Sequence, residues 1–536
     1  MKPFDESGAF RPVANESELR GLAVRGAGAT LLSGGMGVAV QIIATITLAR
    51  LLTPSDFGVV AMVTTFSLLL SNFGTNGFTE AILQFDEVNH ALVSNIFWIN
   101  FGAGILLTAA FAGAGTLLAQ FYHDPRVANV AVGTSLGILI SSTSVEHQAL
   151  LKRAMCFSAL SVNDFVSRTV SVIVSILLAW VGWRYWALVA GVVAVPVSSS
   201  IGAWILCRWT PGLPRRAANT GPMVRFAMHV YGRFTVNYFS RNTDNLLVGW
   251  RFNAASLGFY KKAYDLFALS TSLLVSPLSN VAVAALSRFD PRSTQFRRYF
   301  LNALAVMAFV GMGLGVNLTL VGKDVIRLLL GYKWEESGRI FMFFGPGIGI
   351  MMLYFTHGWI HLSIGRADRW IRWGIVEFVC TFLMFLVGLH WGPSGVAVAW
   401  TVSFWILTLP SLWYAGRPVQ FGVAPMLAAV WKFVLASAVA GGATAFIILK
   451  IPSVFSGPSR IEAVVRIGMS SIIFVTLYVG AVVVLYGGFT PLYQLARLLR
   501  EMSPLGRLSK PSSVSEMACA TASGEAFPTS TGREPH

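Results

Sequence analysis

Apolar segments of about 20 residues, separated by short polar loops, recur along most of the chain. A helix of about this length crosses the ~30 Å hydrocarbon core of a bilayer. The pattern therefore predicts an all-α, polytopic membrane protein. By hydropathy we expect about fourteen transmembrane helices, over residues 27–49, 57–79, 91–120, 127–147, 160–181, 185–207, 224–249, 256–286, 300–321, 338–362, 370–389, 393–414, 427–449 and 464–487.

A short repeat divides the predicted helices into two sets. The sequence ARLLTPSDFGVVAMV (49–63) joins the first two helices, and WRFNAASLGFYKKAY (250–264) joins the seventh and eighth. When the arginines of the two junctions are aligned, Gly58 and Gly258 fall within one residue of register. The repeat predicts two pseudosymmetric six-helix lobes followed by a final helix pair.

The repeat and the polar stretches divide the chain into predicted regions. The stretch RWTPGLPRRAANTGP is basic, with proline and glycine at both ends, which is typical of a linker. The C-terminal tail is rich in Ser, Pro, Gly and Thr, which predicts disorder. The regions are a cytoplasmic N-terminal segment 1–26, an N-lobe 27–207, a basic cytoplasmic linker 208–223, a C-lobe 224–414, a final helix pair 415–487, and a cytoplasmic, mostly disordered tail 488–536.

Charge is scarce and lies in particular loops. Only 12% of the residues are charged, against roughly 25% in soluble proteins, so a soluble fold would lack polar surface. The net charge of +16 would suggest nucleic acid as a partner of a soluble domain, but Lys and Arg lie mainly in alternate short loops. This bias predicts that both termini are cytoplasmic, and no nucleic-acid partner is expected. The loop 322–339 is an exception, because its basic residues lie on the predicted outer side.

The seventh predicted helix has a polar face. A sector of about 120° holds six polar residues, namely His229, Arg233, Asn237, Ser240, Arg241 and Asp244. A charge at the bilayer centre costs at least ~2.5–3.5 kcal/mol, so this face must meet water, other charges or a ligand. Either Arg241 pairs with Asp244, or the face lines a hydrated cavity. The cavity is favoured, because a pair between Arg241 and Asp244 would still leave Arg233, Lys261 and Lys262 without partners.

Acidic residues within the predicted helices are candidates for coupling transport to a proton or sodium gradient. These residues are Asp244, Asp164 and Glu377. Asp164 and Arg168 lie four residues apart, so a pair that neutralises itself is an equally good interpretation. For Glu377, an ion pair with Arg369 or Arg372 is favoured over an ion site. No cofactor is expected.

Motifs for catalysis are lacking in the sequence. There is no P-loop, so no ATPase is expected within the chain. His357 and His361, in HGWIH, have the spacing of a zinc pair, but the general-base Glu and a third ligand are missing. The four cysteines form no CxxC. We therefore expect neither a metal site nor an enzyme.

Several stretches resemble a known transporter family. The segments ARLLTPSDFGVVAMVTTF, NGFTEAILQ, FWINFGAGILL and AQFYHDPRV resemble, in order, the first half of Wzx-type polysaccharide-exporting flippases. The segment YFSRNTDNLLVGWRFNAASLGFYKKAYDL resembles the corresponding part of their second half. This family is part of the multidrug/oligosaccharidyl-lipid/polysaccharide exporter superfamily.

The resemblance implies fourteen helices and a central cavity that opens alternately to either side of a bacterial inner membrane. It implies a cargo in which an oligosaccharide is linked by pyrophosphate to a polyprenol, carried from the cytoplasmic to the periplasmic leaflet. Membrane lipids, a polysaccharide polymerase and export machinery are the expected partners. Cationic cavity residues contact the pyrophosphate in the broader superfamily.

The basic cluster and the resemblance together give a hypothetical substrate site. Its predicted residues are Arg233, Arg241, Lys261, Lys262, Arg251, Arg50, Asn237 and Arg168. Arg50 and Arg251 are expected near the periplasmic mouth, where simple interfacial anchoring is an equally good role. A drug or metabolite exporter of the same superfamily is an alternative, although it predicts an acidic, aromatic cavity. A membrane polysaccharide polymerase or ligase is another, although it predicts a large periplasmic loop.

Overall fold

The computed structural model describes residues 1–10, 16–215, 220–450 and 460–489, together with Tyr493. Apart from two isolated bridges near the N-terminus, the regular structure in these ranges is helical, so the all-α prediction is confirmed. The α-helices are α1 Glu16–Leu51, α2 Pro54–Ser71, α3 Phe78–Gln84, α4 His90–Tyr122, α5 Arg126–Ser142, α6 Val145–Arg153, α7 Phe157–Trp180, α8 Tyr185–Leu206, α9 Gly221–Arg251, α10 Ala254–Leu286, α11 Thr294–Leu330, α12 Glu335–Ser363, α13 Ala367–Gly388, α14 Gly392–Gly416, α15 Val423–Lys450 and α16 Arg460–Tyr486.

Each predicted transmembrane segment overlaps one of the longer helices, but two were drawn too long. The segment 57–79 runs past the end of α2 at Ser71 into α3, and 127–147 runs past the end of α5 at Ser142 into α6. In the described ranges, 11 helical stretches are long and apolar enough to cross a membrane, or up to 12 if the bent pair α5–α6 is one span. One of them, Asp368–Val419, is a hairpin of α13 and α14, because Trp373 stacks on Tyr414. Helix α9, with its arginines and Asp244, is not among them. The chain is a multi-pass membrane protein, and the count of fourteen stays a prediction.

The two repeat junctions fold alike. Thr53 begins α2 with a capping box, in which its hydroxyl accepts from the Asp56 amide and its own amide donates to the Asp56 carboxylate. Asn253 caps α10 by accepting from a first-turn amide at 2.9 Å. Because Thr53 and Asn253 hold equivalent positions, Gly58 and Gly258 are in register. The structural repeat therefore differs by one residue from the sequence alignment.

The helices pack into two bundles with a pair beside them. Helices α1, α2, α4, α5, α7 and α8 contact one another in the first bundle, called the N-lobe. Helices α9–α14 form the second bundle, called the C-lobe, and α15 and α16 pack together against α11. The C-lobe core is aromatic, with Phe267 stacked on Phe344 at 5.0 Å and Trp400 on Phe404 at 4.9 Å between ring centroids. The exact region boundaries stay predictions.

Residues 1–10 form a short folded segment against the N-lobe. The amide of His90 donates to the Gly8 carbonyl at 2.8 Å, and the Phe4 ring contacts the His90 ring edge-on. The helix α1 then begins within the predicted N-terminal segment 1–26. Part of the predicted linker, at 216–219, lies outside the described residues, as does the tail 488–536 apart from residues 488, 489 and 493.

Candidate functional site

The lobes meet where the two repeat junctions cross. A Cβ added at Gly58 would lie 1.6 Å from the Ala254 carbonyl oxygen, and one added at Gly258 would lie 1.9 Å from the Pro54 carbonyl oxygen. Only glycine allows backbones to approach this closely. The contact is reciprocal, as expected for two repeats related by a pseudo-twofold axis. It closes the interface between the lobes at this end of α2.

The opposite end of α2 also contacts the C-lobe. Tyr231 of α9 donates its hydroxyl hydrogen to the Leu69 carbonyl at 2.9 Å, and its ring lies edge-on to Phe73 at 4.8 Å. Helix α2 therefore holds the C-lobe at both of its ends. Between these two contacts lies the polar face of α9.

The structure divides the predicted polar face of α9 into an exposed and a buried part. His229, Arg233, Asn237 and Arg241 are exposed, whereas Asp244 is buried. In a membrane-spanning bundle, an exposed face with two arginines cannot rest against hydrocarbon without a large cost. The exposed part must therefore meet water, other charges or a ligand, and the hydrated cavity stays a prediction.

Asp244 is bound by aromatic donors from two other helices. Tyr260 of α10 donates to its Oδ2 at 2.8 Å, and Trp400 of α14 donates to the same oxygen at 3.0 Å. Its Oδ1 is buried and has no partner among the described residues. No ion pair with Arg241 forms in the described chain, so the alternative in which Asp244 neutralises Arg241 is wrong. Direct hydrogen bonds are the better way to hold a charge in an apolar interior.

The two lysines of α10 have a partner, which corrects the expectation that they are unpaired. The Nζ of Lys261 lies 2.7 Å from Asp265, and that of Lys262 lies 3.9 Å from the same carboxylate. Spacings of four and three residues place all three groups on one face of the helix. Lys262 is almost fully buried, and its ammonium lies 4.2 Å from the centre of the Phe57 ring in the N-lobe. One acid thus serves two cations, which leaves the group net basic.

Arg241 and Glu377 line one narrow cavity in the C-lobe, with Trp400 and Phe404 in its wall. In the described chain Glu377 forms no ion pair with Arg369 or Arg372, so the favoured pairing is wrong. Arg369 instead donates to the Tyr414 carbonyl at 2.8 Å.

The polar residues of α7 separate into packing contacts and exposed charges. The Ser161 hydroxyl lies 2.9 Å from that of Thr30 on α1, and Ser171 donates to the Gly191 carbonyl on α8. Asp164 and Arg168 are both exposed. They do not form an ion pair within 4.0 Å among the described residues, so the predicted self-neutralising pair is absent. Where both groups face water, a direct contact gains little.

Arg50 and Arg251 differ although they lie in the two junctions. Arg50 donates to the carbonyls of Leu328 and Leu329 at 3.0 and 3.2 Å, which caps the last turn of α11. Lys333 in turn donates to the Arg50 carbonyl at 2.8 Å. Arg251 is exposed, and its guanidinium lies 5.9 Å from the Phe252 ring. In this conformation Arg50 joins α1 to α11.

Sequence reasoning missed the aromatic residues that hold Asp244. Tyr260 and Trp400 donate to its carboxylate, yet each lies in an apolar segment and reads as core. The available signal is chemical, because a buried tyrosine or tryptophan needs a partner for its O–H or N–H group. A buried acid offers such a partner, but the sequence does not give the pairing.

The chain is similar to known polysaccharide biosynthesis proteins. A family model described as "Polysaccharide biosynthesis protein" matches residues 47–339, more than half of the chain. "Teichuronic acid biosynthesis protein TuaB" of Bacillus subtilis (strain 168) is 23% identical over 410 residues, which cover 76% of this chain and 84% of the relative. "Lipopolysaccharide biosynthesis protein WzxC" of Escherichia coli (strain K12) is 21% identical, covering 58% of this chain and 62% of the relative. "Succinoglycan biosynthesis transport protein ExoT" of Rhizobium meliloti (strain 1021) is 19% identical, covering 66% and 72%.

Two solved structures share the fold. "Lipid II flippase MurJ, inward closed conformation" superposes with a TM-score of 0.69 at 13% identity, covering 85% of this chain and 98% of that one. The inward-facing structure of a "multidrug resistance MATE family transporter of the MOP superfamily" gives a TM-score of 0.57 at 12% identity, covering 72% and 94%. The resemblance predicted from the sequence is confirmed.

Proposed function

This chain belongs to the polysaccharide biosynthesis protein family, and from that membership we propose that it moves a polyprenyl-pyrophosphate-linked oligosaccharide across the membrane by alternating access. The relatives are named for the biosynthesis of teichuronic acid, lipopolysaccharide and succinoglycan, and the last is named a transport protein. A structural neighbour is named a lipid II flippase. The chain acts as a transporter in this proposal, with no catalytic role.

The exposed basic face of α9 is the observation that carries the proposal. Arg233, Asn237 and Arg241 project from a membrane helix between two contacts of the lobes. Inside a protein cavity the effective dielectric constant is lower than in bulk water, which strengthens each contact between a cation and a phosphate oxygen. The pyrophosphate is the only part of the cargo class that must carry charge, so it is the group that these residues would bind.

Lys261 and Lys262 complete the proposed pyrophosphate site. Both lysines share Asp265 in this conformation, and Lys262 is covered by Phe57 of the other lobe. Separation of the lobes would remove Phe57 and expose the ammonium group. The two lysines would then be available to the pyrophosphate in one state of the cycle and withdrawn in the other. Arg50 and Arg251 are assigned to the periplasmic mouth, and Arg168, in the middle of α7, to the path of the cargo.

Coupling to a proton or sodium gradient is assigned to acidic residues. Asp244 is the first candidate, because its Oδ1 is buried and has no hydrogen-bond partner in the described part of the chain. Glu377 is the second, since it shares a cavity with Arg241. Asp164, exposed on α7, is the third. We place the protein in a bacterial inner membrane with both termini in the cytoplasm, beside a polysaccharide polymerase and export machinery that would receive the cargo.

Transport can be measured with purified protein in proteoliposomes. A labelled polyprenyl-pyrophosphate oligosaccharide is followed by its protection from a membrane-impermeant glycosidase. We expect movement by the wild type. Arg241→Gln, and the double variant Lys261→Gln/Lys262→Gln, should slow it by about tenfold or more, because hydrogen bonds to charged groups contribute about 1.5–3 kcal/mol.

The matched control is Arg288→Gln, which removes one exposed cation from the loop between α10 and α11. Its rate should equal that of the wild type. If the α9 and α10 variants move the cargo at the wild-type rate, the proposed basic site is wrong. If the wild type moves no cargo taken from its native host, under either a proton or a sodium gradient, the proposed function is wrong.

A further inference from the structure

A line of polar side chains crosses the apolar interior of the C-lobe. Tyr354, His357 and His361 lie at intervals of three and four residues on one face of α12, and Glu377 of α13 continues the line at its inner end. The outer end is the loop 364–366, which the predicted topology places in the cytoplasm. The motif HGWIH thus leads from the cavity beside Arg241 to an end of the membrane domain.

The hydrogen bonds of Tyr354 fix its orientation. Trp373 donates its Nε1 hydrogen to the Tyr354 hydroxyl oxygen at 2.8 Å. The Tyr354 hydroxyl hydrogen is not used in this bond. The Tyr354 ring packs at 4.9 Å between centroids against Phe404. Phe404 lines the narrow cavity that Glu377 and Arg241 also line. Tyr354 is the first group that a proton leaving Glu377 would meet in the lobe interior.

His357 has one bound and one free nitrogen. Its Nδ1 hydrogen-bonds to the backbone carbonyl of Tyr354. A carbonyl can only accept, so Nδ1 carries the hydrogen and Nε2 is the basic nitrogen. The side chain is 2% exposed, and Nε2 has no partner among the described residues. This nitrogen is an acceptor left open in an apolar interior.

His361 is the most unusual group of the line. It is 0% exposed, and neither of its nitrogens has a partner among the described residues. Its ring centroid lies 6.0 Å from that of His357 and 5.7 Å from that of Tyr414 on α14. The charged neighbours are Arg369 and Asp368 in the first turn of α13. On the α10 side, the nearby Trp359 donates to the Ser279 hydroxyl.

Buried water is the simplest partner for these nitrogens. An unsatisfied buried polar group costs about 1–3 kcal/mol, and the two histidines present three such atoms. Ordered water commonly satisfies such groups in protein interiors. A bound metal is not the expected partner, because among the described residues no group of three His, Cys, Asp or Glu side chains could hold one.

We propose that water joins Glu377, Tyr354, His357 and His361 into a proton pathway between the cavity beside Arg241 and the loop 364–366. Tyr354 accepts a proton on its hydroxyl oxygen from one side as it releases its own toward the other, and its hydroxyl then rotates back. His357 accepts and releases the proton at Nε2, and His361 accepts and releases it at one and the same nitrogen, so both keep their tautomer. The net change is one proton moved. The pathway rests on the proposed function, and it makes the proton the coupled ion.

Hydroxyl-radical footprinting of the wild type tests whether water occupies the line, and it needs no transport. Radicals formed in buried water oxidise the side chains that the water touches. We expect oxidation of His357 and His361 at a rate comparable to that of the exposed His390. Phe267, which is buried and stacked on Phe344 at 5.0 Å between ring centroids, should stay unmodified. Protection of both histidines to the level of Phe267 would overturn the pathway.

A pH gradient across proteoliposomes tests the coupling. One pH unit shifts the steady-state distribution of the cargo by up to about tenfold for each proton moved. We expect that shift in the wild type and its loss in His357→Gln/His361→Gln, while exchange of the cargo without a gradient continues. The control His390→Gln makes the same change at an exposed position of the same lobe and should keep the shift.

The outcomes separate the pathway from the proposed function. A wild type that moves cargo but ignores the pH gradient overturns the pathway alone, and so does a double variant that keeps the full shift. A double variant that loses the shift and keeps exchange supports the pathway. A wild type that moves no cargo in any condition overturns the proposed function, and the coupling role falls with it.

Discussion

Asp244 is held inside the C-lobe by hydrogen bonds rather than by an opposite charge. Tyr260 and Trp400 come from two different helices and share one carboxylate oxygen, which fixes α9 against α10 and α14. The second oxygen accepts no hydrogen bond from any residue that the structure describes. The residue therefore has two separable roles, one in joining three helices and one in any ion chemistry that its second oxygen supports.

Substitutions at Asp244 can separate these roles. Asp244→Asn keeps an oxygen that accepts from Tyr260 and Trp400, whereas Asp244→Ala leaves both buried donors unpaired. We expect the alanine variant to be less stable than the asparagine variant by about 1–3 kcal/mol, the cost of unsatisfied buried groups. Denaturant unfolding in detergent measures the difference. Equal free energies of unfolding for the two variants would mean that the donors find other partners.

The sequence-based site was least accurate in the ion pairs that it suggested between residues of the same helix. Spacing alone suggests that Asp244 pairs with Arg241 and that Asp164 pairs with Arg168. Neither ion pair forms in the described chain, because an exposed pair gains little and a buried acid gains more from direct donors. The donor Trp400 lies 156 positions from Asp244. Such a contact depends on the packing of whole helices, which the local pattern does not contain.

At the scale of helices, the hydrophobic pattern predicted much more. The apolar segments overlap long helices, because a span in a bilayer must satisfy its backbone within itself. The junction sequences also identified the turns, since Thr53 and Asn253 are preferred helix caps. The short helices α3 and α6 carry no comparable pattern. The contact of α2 with α10 could not be predicted from the sequence, although its two glycines, Gly58 and Gly258, occur at matching places in the two junctions.

The crossing of α2 and α10 gives a prediction about the lobe interface. Gly58→Ala would put a Cβ 1.6 Å from the Ala254 carbonyl oxygen, where real Cβ contacts stay above 3.0 Å. The backbones must therefore separate. We expect spin labels at positions 51 and 250, both exposed at the ends of α1 and α9, to move to longer distances.

Gly102→Ala on α4 is the control for this experiment, because a Cβ there meets nothing within 4 Å. Its label distances should match those of the unmutated protein. The Gly258→Ala variant tests the reciprocal contact with Pro54 and should have the same effect as Gly58→Ala. Unchanged distances in both variants would show that the lobes do not depend on this contact.

At the scale of the whole molecule, the basic segment 322–339 is the exception to the predicted topology, since Lys and Arg on the outer side count against it. The structure corrects its description as a loop, because 322–330 belong to α11 and 335–339 to α12. Lys323 lies 2.9 Å from Glu335, and Arg339 lies 3.3 Å from Glu336. Lys333 donates to two carbonyls at the end of α1. Much of the positive charge is thus engaged within the protein.

Cysteine labelling in intact cells tests the topology directly. In a variant without the four native cysteines, Tyr332→Cys places a thiol at a position that is 55% exposed, and Leu213→Cys at one that is 83% exposed. We expect an impermeant maleimide to label position 332 in intact cells and position 213 only after the inner membrane is opened, because an odd number of predicted helices separates them. Labelling at 332 also requires the reagent to cross any outer membrane, so Trp183→Cys, 54% exposed in another predicted outer loop, serves as the positive control. Labelling of position 213 in intact cells would show that the protein has the opposite orientation to the predicted one. The loop 364–366 would then face outward, and the proposed proton pathway would open to the other side of the membrane.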